Sequence, residues 1–289
     1  MSTRLVISPE ELISRAGEPD LAIFDCRARL EAPEAGEREY LIAHIPGAVF
    51  AHLDRDLSGQ KTGRNGRHPL PTPEDLVAKF GEWGIAPGTT VVAYDDVGGG
   101  LAAARLWWLL RYMGHERALI LDGGWQAWML AGGLIQGGNR RPAPAIFVGQ
   151  PHPDMARDAD FVGTAALSPD WVVIDSRMPS RYRGEEEPFD PVAGHIPGAR
   201  NHYWFEDFSP DGRLLPPGRL RALFERTLGG VPPERTIFYC GSGVTSAFQV
   251  WAMEVAGLRG ALIYPGSWSE WSNDPARPVA TTDRPAGAP

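Results

Sequence analysis

The chain has 289 residues, 43% of them hydrophobic and 22% charged, which makes it globular, with room for two domains of ordinary size. A formal charge of −8 argues against a general nucleic-acid binder, and no run approaches the roughly 18 apolar residues of a membrane span. Two cysteines without a C-x-x-C pair make no disulfide framework, and the scattered histidines give no zinc spacing. The N-terminus turns acidic at Glu10-Glu11 and lacks the apolar core of a signal peptide, so a cytoplasmic protein is expected.

Taken in order, Ser8-Pro9-Glu10-Glu11 opens a short helix with a cap, an early proline and acids at the positive end. Leu21–Asp25 reads as a buried strand, and His44-Ile-Pro-Gly-Ala48 as a turn. Residues 51–71 form a long polar excursion that holds Asp54 and His68. Thr72 starts a helix reaching about Trp83; Val91–Asp95 is the next strand. Asp96-Val-Gly-Gly-Gly100 leads into a helix from Leu101 to Met113, and Ala118–Asp122 is a strand followed by Trp125-Gln-Ala-Trp128.

The second half repeats this order. Trp171–Asp175 matches Leu21–Asp25, each followed one residue later by an arginine (Arg27, Arg177). His195–Ala199 matches His44–Ala48 residue for residue, Tyr239-Cys240 matches Tyr94-Asp95, and Trp268-Ser-Glu-Trp271 matches Trp125–Trp128. The offset drifts only from 151 residues (His44 to His195) to 143 (Trp125 to Trp268), so these are two copies of one domain. Short apolar strands alternating with amphipathic helices predict α/β domains, each with a mainly parallel sheet flanked by helices. The expected organisation is a catalytically silent domain over 1–135, a proline-containing linker over 136–160, a catalytic domain over 161–275 and a loose tail over 276–289.

The chemistry centres on Thr236-Ile-Phe-Tyr-Cys240-Gly-Ser-Gly-Val-Thr-Ser246. A strand rich in β-formers ends at a thiol, and Ala247–Gly257 reads as a buried helix with a glycine C-cap. Gly241 and Gly243 allow the backbone to curl so that N–H groups point inward as an anion nest, and the helix N-terminus adds positive potential. A thiolate held there has its pKa lowered, which makes Cys240 a candidate nucleophile. The competing reading is a small apolar cysteine at a strand end. The first copy carries Asp95 at this place. It cannot do thiol chemistry, and an anion nest is expected to repel it, so the second half is the active one. Ser246 stands where a phosphatase of this shape needs arginine, and the loop lacks the Gly-x-Ser-x-Gly of a serine hydrolase.

Taken together, Asp175-Ser-Arg177, Arg181-Tyr-Arg-Gly184, Gly194-His-Ile-Pro-Gly198, the Cys240 loop and Gly266-Ser-Trp-Ser-Glu-Trp271 resemble a tandem rhodanese-family sulfurtransferase over about Leu5–Asn273. The loop Cys240-Gly-Ser-Gly-Val-Thr245 is similar to the 3-mercaptopyruvate branch and lacks the basic residues of the thiosulfate branch. The resemblance implies transfer of sulfur from 3-mercaptopyruvate through a Cys240 persulfide to a thiol such as thioredoxin, or to cyanide, with no metal or organic cofactor. It implies a proton relay of Ser242, His68 and Asp54. It also implies a substrate site of Arg181 with Gly241, Gly243, Val244 and Thr245. The family's second carboxylate-binding arginine falls at Phe189 here, and Arg183, Arg64 or Arg67 could compensate. A thiosulfate sulfurtransferase and a persulfide carrier fed by a partner protein remain as alternatives.

Overall fold

A computed structural model describes residues 4–281. They form two compact units, and each takes a segment from the other half of the sequence. The first contains residues up to Gly59, Leu70–Pro153 and Phe208–Leu214; the second contains Gln60–Pro69, Asp154–Asp207 and the chain from Leu215.

The first unit holds β1 (Val6–Ile7), α1 (Pro9–Arg15), β2 (Leu21–Asp25), α2 (Ala35–Ile42), β3 (Val49–Phe50), α3 (Pro73–Glu82), β4 (Thr90–Tyr94), α4 (Ala102–Tyr112), β5 (Ala118–Leu121) and α5 (Gly124–Leu130). Its sheet has the order β1-β5-β4-β2-β3 and every pairing is parallel. All five residues of β4 are buried, as a strand covered on both faces must be. Val92 and Tyr94 join a core with Leu12 and Trp128, while α4 packs against β4 and β5 and buries nearly all of its length. The helix starts follow the caps read from the sequence: Ser8 Oγ accepts from Glu11 N at 3.2 Å and Thr72 Oγ1 from Asp75 N at 3.1 Å. Helix α2 was not predicted. It has no side-chain cap and buries one large residue, Tyr40, whose hydroxyl donates to Ala48 O at 2.9 Å. Ala35, Glu37, Arg38, Glu39 and Leu41 are all good helix formers, so intrinsic propensity supports it.

The second unit holds α6 (Ala159–Ala165), β6 (Val172–Asp175), α7 (Pro179–Arg183), β7 (Arg200–Asn201), α8 (Pro217–Leu228), β8 (Thr236–Tyr239), α9 (Thr245–Val255), β9 (Leu262–Ile263) and α10 (Ser267–Trp271). Its sheet is β7-β6-β8-β9, again parallel throughout. Ile237 and Tyr239 of β8 pack on one face with Val162, Trp268 and Trp271, while Phe238 meets Phe224 of α8 on the other, ring centroids 6.3 Å apart.

Both units share an anchor that the repeated Asp-x-Arg motif builds. Arg27 Nη2 donates to Asp25 Oδ2 at 2.7 Å and to Ala43 O at 2.6 Å; Arg177 Nη2 donates to Asp175 Oδ2 at 2.6 Å and to Gly194 O at 2.6 Å. These buried pairs fix the approach to each His-Ile-Pro-Gly turn. There His44 and His195 each place Nδ1 2.7 Å from a backbone oxygen (Tyr40 O and Tyr182 O) and stack on that tyrosine's ring. The turns are therefore structural in both copies.

The stretch 136–160 does more than span. As far as Pro153 it belongs to the first unit: Gln136 bridges His44, Ala145 N donates to Gly81 O at 2.9 Å, and Phe147 meets Phe80 at 5.0 Å. Residues 276–281, expected to be loose, are held: Ala280 bridges His195 and is buried, and Trp271 Nε1 donates to Pro278 O at 2.9 Å. The rest of the expected tail, 282–289, lies outside the described residues. Among the described residues no helix is long and apolar enough to cross a membrane.

Candidate active site

Cys240 follows the last residue of β8, at the carboxyl edge of the second unit's sheet, and α9 begins five residues later. Ligands of open α/β sheets bind at this edge. The loop between is braced by the α10 segment. Ser267 Oγ accepts from Cys240 N at 3.1 Å and donates to Tyr264 O at 2.9 Å, while Trp268 N and Ser269 N donate to Cys240 O and Gly241 O, both at 2.9 Å. Ser267 adopts φ of 54°, the one non-glycine residue in the left-handed region among those described. No local motif announces this brace. Trp268 itself is buried and lies with Arg177 at 4.6 Å over its ring, so it packs the loop and does not line the site.

The two loop glycines serve different needs. Gly243 sits at φ +80°, and a Cβ there would meet Pro265 O at 2.2 Å. Gly241 is not in the left-handed region; it makes room for side chains, with Arg67 Nη2 only 3.0 Å from the point where its Cβ would stand.

The thiol is buried, with 3% of the residue exposed, and Gly243 N donates to its Sγ at 3.1 Å. Burial pushes the Cys240 thiol up, but the Thr245 hydroxyl and the N–H groups of Ser242, Ser246 and Gly243 outweigh it and leave the thiol below its ordinary value. Cys26 is the contrast: burial and then the nearby carboxylates of Asp25 and Asp95 drive it well above the ordinary range, leaving an inert structural thiol.

The other site residues that the sequence singled out divide by unit. His68 and Ser242 lie together in the second unit, with His68 Nδ1 2.8 Å from Ser242 Oγ and both side chains buried. Val244 caps α9 and Thr245 begins it. Asp54 belongs to the first unit, in a turn where its N–H donates to His52 Nδ1 at 3.1 Å. Arg181 is on α7. Its Nη2 donates to Glu187 Oε1 at 2.5 Å and to Asp190 Oδ2 at 3.3 Å, and its Nη1 lies 3.5 Å from the Gly241 Cβ point. Of the arginines considered as substitutes for the one missing at Phe189, Arg183 is turned to Glu185 at 2.6 Å and Arg64 lines a separate pocket with Glu270, Asn273 and Arg277. Arg67 alone of the three approaches the loop, paired with Asp190.

At the equivalent place in the first unit, Asp95 does not shun a nest; it fills one. Its Oδ1 accepts from Val97 N at 3.0 Å and Gly99 N at 2.7 Å, and its Oδ2 from Leu101 N at 3.0 Å and Ala103 N at 3.4 Å. The expectation of repulsion was wrong because the nest binds negative charge, and a carboxylate tethered beside it is a ready occupant. Burial still outweighs these bonds and pushes Asp95 up to about 6.

The rhodanese-like domain family matches residues 8–131 and again 164–274. A Pseudomonas aeruginosa protein named "Probable 3-mercaptopyruvate sulfurtransferase" is 45% identical over 285 residues, covering 98% of this chain and 100% of its own. A Mycobacterium tuberculosis protein that carries a thiosulfate sulfurtransferase name is 40% identical over 289 residues, covering 96% of each. A crystal structure from Escherichia coli, described with the rhodanese fold of 3-mercaptopyruvate sulfotransferases, superposes with a TM-score of 0.80 at 31% identity and covers 93% of this chain and 100% of its own.

Proposed function

The chain belongs to the rhodanese family, with two rhodanese-like domains in tandem, and from that premise we propose that it is a 3-mercaptopyruvate sulfurtransferase working through Cys240. The observation that carries the reading is the buried thiol with a lowered pKa beside the Ser242–His68 contact of 2.8 Å. A thiosulfate donor has no use for a proton source at the thiol. A 3-mercaptopyruvate donor does.

The Cys240 thiolate attacks the donor's sulfur and an S–S bond forms. The C–S bond breaks and its electron pair passes to the methylene carbon as pyruvate enolate. The outer persulfide sulfur keeps its proton, and the enolate takes one from Ser242, replenished by His68, to leave as pyruvate. Asp54, in the first unit, is the third residue that the family resemblance gives this relay. Arg181 holds the substrate carboxylate by its planar fork, and the N–H groups of the loop from Gly241 to Thr245 stabilise charge on sulfur. A second thiolate, such as thioredoxin's, or cyanide then attacks the outer sulfur and releases the Cys240 thiolate. A cytoplasmic setting fits, since it keeps such acceptor thiols reduced.

The first experiment is kcat/KM with 3-mercaptopyruvate against thiosulfate, using one thiol acceptor. A large preference for 3-mercaptopyruvate is expected, and a preference for thiosulfate overturns the donor assignment. Cys240→Ser should gain no sulfur atom by mass spectrometry after donor treatment and should lose all turnover; retained turnover would remove Cys240 as the carrier.

A further inference from the structure

Two guanidinium groups converge on the loop that follows Cys240. Arg67 Nη2 stands 3.0 Å, and Arg181 Nη1 and Nη2 stand 3.5 and 3.6 Å, from the point where a Cβ on Gly241 would be, one residue from the thiol. We propose that Arg67, carried into the second unit on the Gln60–Pro69 segment, is the second cation for the donor's carboxylate and so determines specificity for a 2-oxo acid. The inference rests on the donor reading above and adds a residue to it.

Three observations support it. The first is charge. The ion-pair chain beside the loop holds three carboxylates, Asp175, Glu187 and Asp190, against Arg177 and Arg181. The side chains of Glu187 and Asp190 are 3% and 2% exposed, so water screens them poorly. Without Arg67 that chain would be net negative and would repel an anionic donor; Arg67, paired to Asp190, brings it to balance.

The second is position. Gly66 adopts φ +82°, and a Cβ there would meet Gly266 O at 2.7 Å, so only glycine lets this segment come so close. Arg67 N then donates to Ser269 Oγ at 3.0 Å, and the next residue, His68, meets Ser242. The backbone of Arg67 is thus pinned on both sides. Its Nη1 faces Asp190 and its Nη2 faces the loop that follows Cys240.

The third is Phe189. Its ring lies under both guanidiniums, at 5.7 Å from Arg67 and 5.2 Å from Arg181. An arginine at 189 would place a third positive charge against these two. The aromatic ring spaces them and attracts both. The charge missing from position 189 is supplied by position 67.

The test uses the full chain and two donors: 3-mercaptopyruvate, and 1-mercaptopropan-2-one, which keeps the thiol and ketone but has no carboxylate. Arg67→Gln should lower kcat/KM for 3-mercaptopyruvate by roughly 10- to 100-fold, the loss of one charge-assisted hydrogen bond, mostly through KM. It should leave 1-mercaptopropan-2-one within about threefold. Arg67→Lys should fall between, keeping charge without the fork, and Arg67→Gln with Phe189→Arg should recover much of the loss. Equal losses with both donors, or none with either, would overturn the assignment while leaving the donor reading intact. Wild-type protein that ignores 3-mercaptopyruvate but accepts thiosulfate would overturn both. If Arg67→Gln misfolds, judged by its circular dichroism and melting, the Arg67→Lys and double-variant arms decide.

Discussion

Thr245 offers a quantitative test of how the site makes its nucleophile. Among the groups that lower the Cys240 thiol its hydroxyl is the foremost, and the remaining donors are backbone N–H groups. Thr245→Val keeps the shape of the first residue of α9 and deletes only the hydroxyl. A hydrogen bond to a charged group contributes about 1.5–3 kcal/mol. One pKa unit corresponds to about 1.4 kcal/mol. The thiol should therefore rise in the variant by what that hydrogen bond contributes, with little change in fold stability. The assay is the pH dependence of alkylation by iodoacetamide, or of thiolate ultraviolet absorbance, with Cys26 replaced by serine to remove its signal. The acid limb of kcat/KM should move up by the same amount, and activity should recover at alkaline pH. An unmoved titration would refute the idea that side-chain hydrogen bonding sets the thiolate. A loss that persisted at every pH would mean that Thr245 acts on the substrate and not on the thiol.

Ser242→Ala and His68→Ala should each slow turnover of 3-mercaptopyruvate by about 100-fold or more, and slow thiosulfate much less, because only the former releases a fragment that needs a proton; equal loss with both donors in steady-state kinetics would remove the relay. Asp95 makes the first unit pH-sensitive. Its carboxyl is held near 6 in the folded chain against about 3.9 in the unfolded chain. The folded state therefore binds the proton more tightly, and the stability this contributes, about 3 kcal/mol, is fully present below about pH 4 and lost as pH rises through 6. Denaturant melts across that range should show the slope in the native protein and a flatter profile in Asp95→Asn; an unchanged profile would place the titration elsewhere.

Much of this was legible because the chain says it twice. The strands from Leu21, Val91, Trp171 and Thr236 are apolar runs bounded by turn residues, and the paired His-Ile-Pro-Gly turns give their order. Cys240 stood out because a thiol, two glycines and a helix start in that order can form an anion site, although a structural cysteine at a strand end fits the same residues. What was not legible depends on distant chain. Nothing in Ser267 announces that its hydroxyl receives the Cys240 N–H, since that bond spans 27 residues. Asp95 was misjudged because its partners are backbone groups, which carry no sequence signature. Arg67 sat among several polar residues of an excursion, and its approach to Gly241 and pairing with Asp190, which set it apart from Arg64, depend on distant chain.

The exchange of segments between the two units sets a limit on how the protein can be taken apart. Residues Gln60–Pro69 are encoded in the first half but complete the second unit, and Phe208–Leu214 make the reverse contribution. In the first unit that loan is anchored by Leu214 N donating to Asp122 Oδ1 at 3.1 Å and by Gly212 O against Gly98. A polypeptide cut in the stretch 136–160 would therefore yield two fragments, each lacking a segment of its own compact unit. The C-terminal fragment would keep Cys240 and Ser242 and lose Arg67 and His68, the residue that meets Ser242. Split-protein complementation, in which two inactive pieces regain turnover only when mixed, is the behaviour such reciprocal lending leads to, and a subcloned catalytic half is an incomplete enzyme by design of the chain itself.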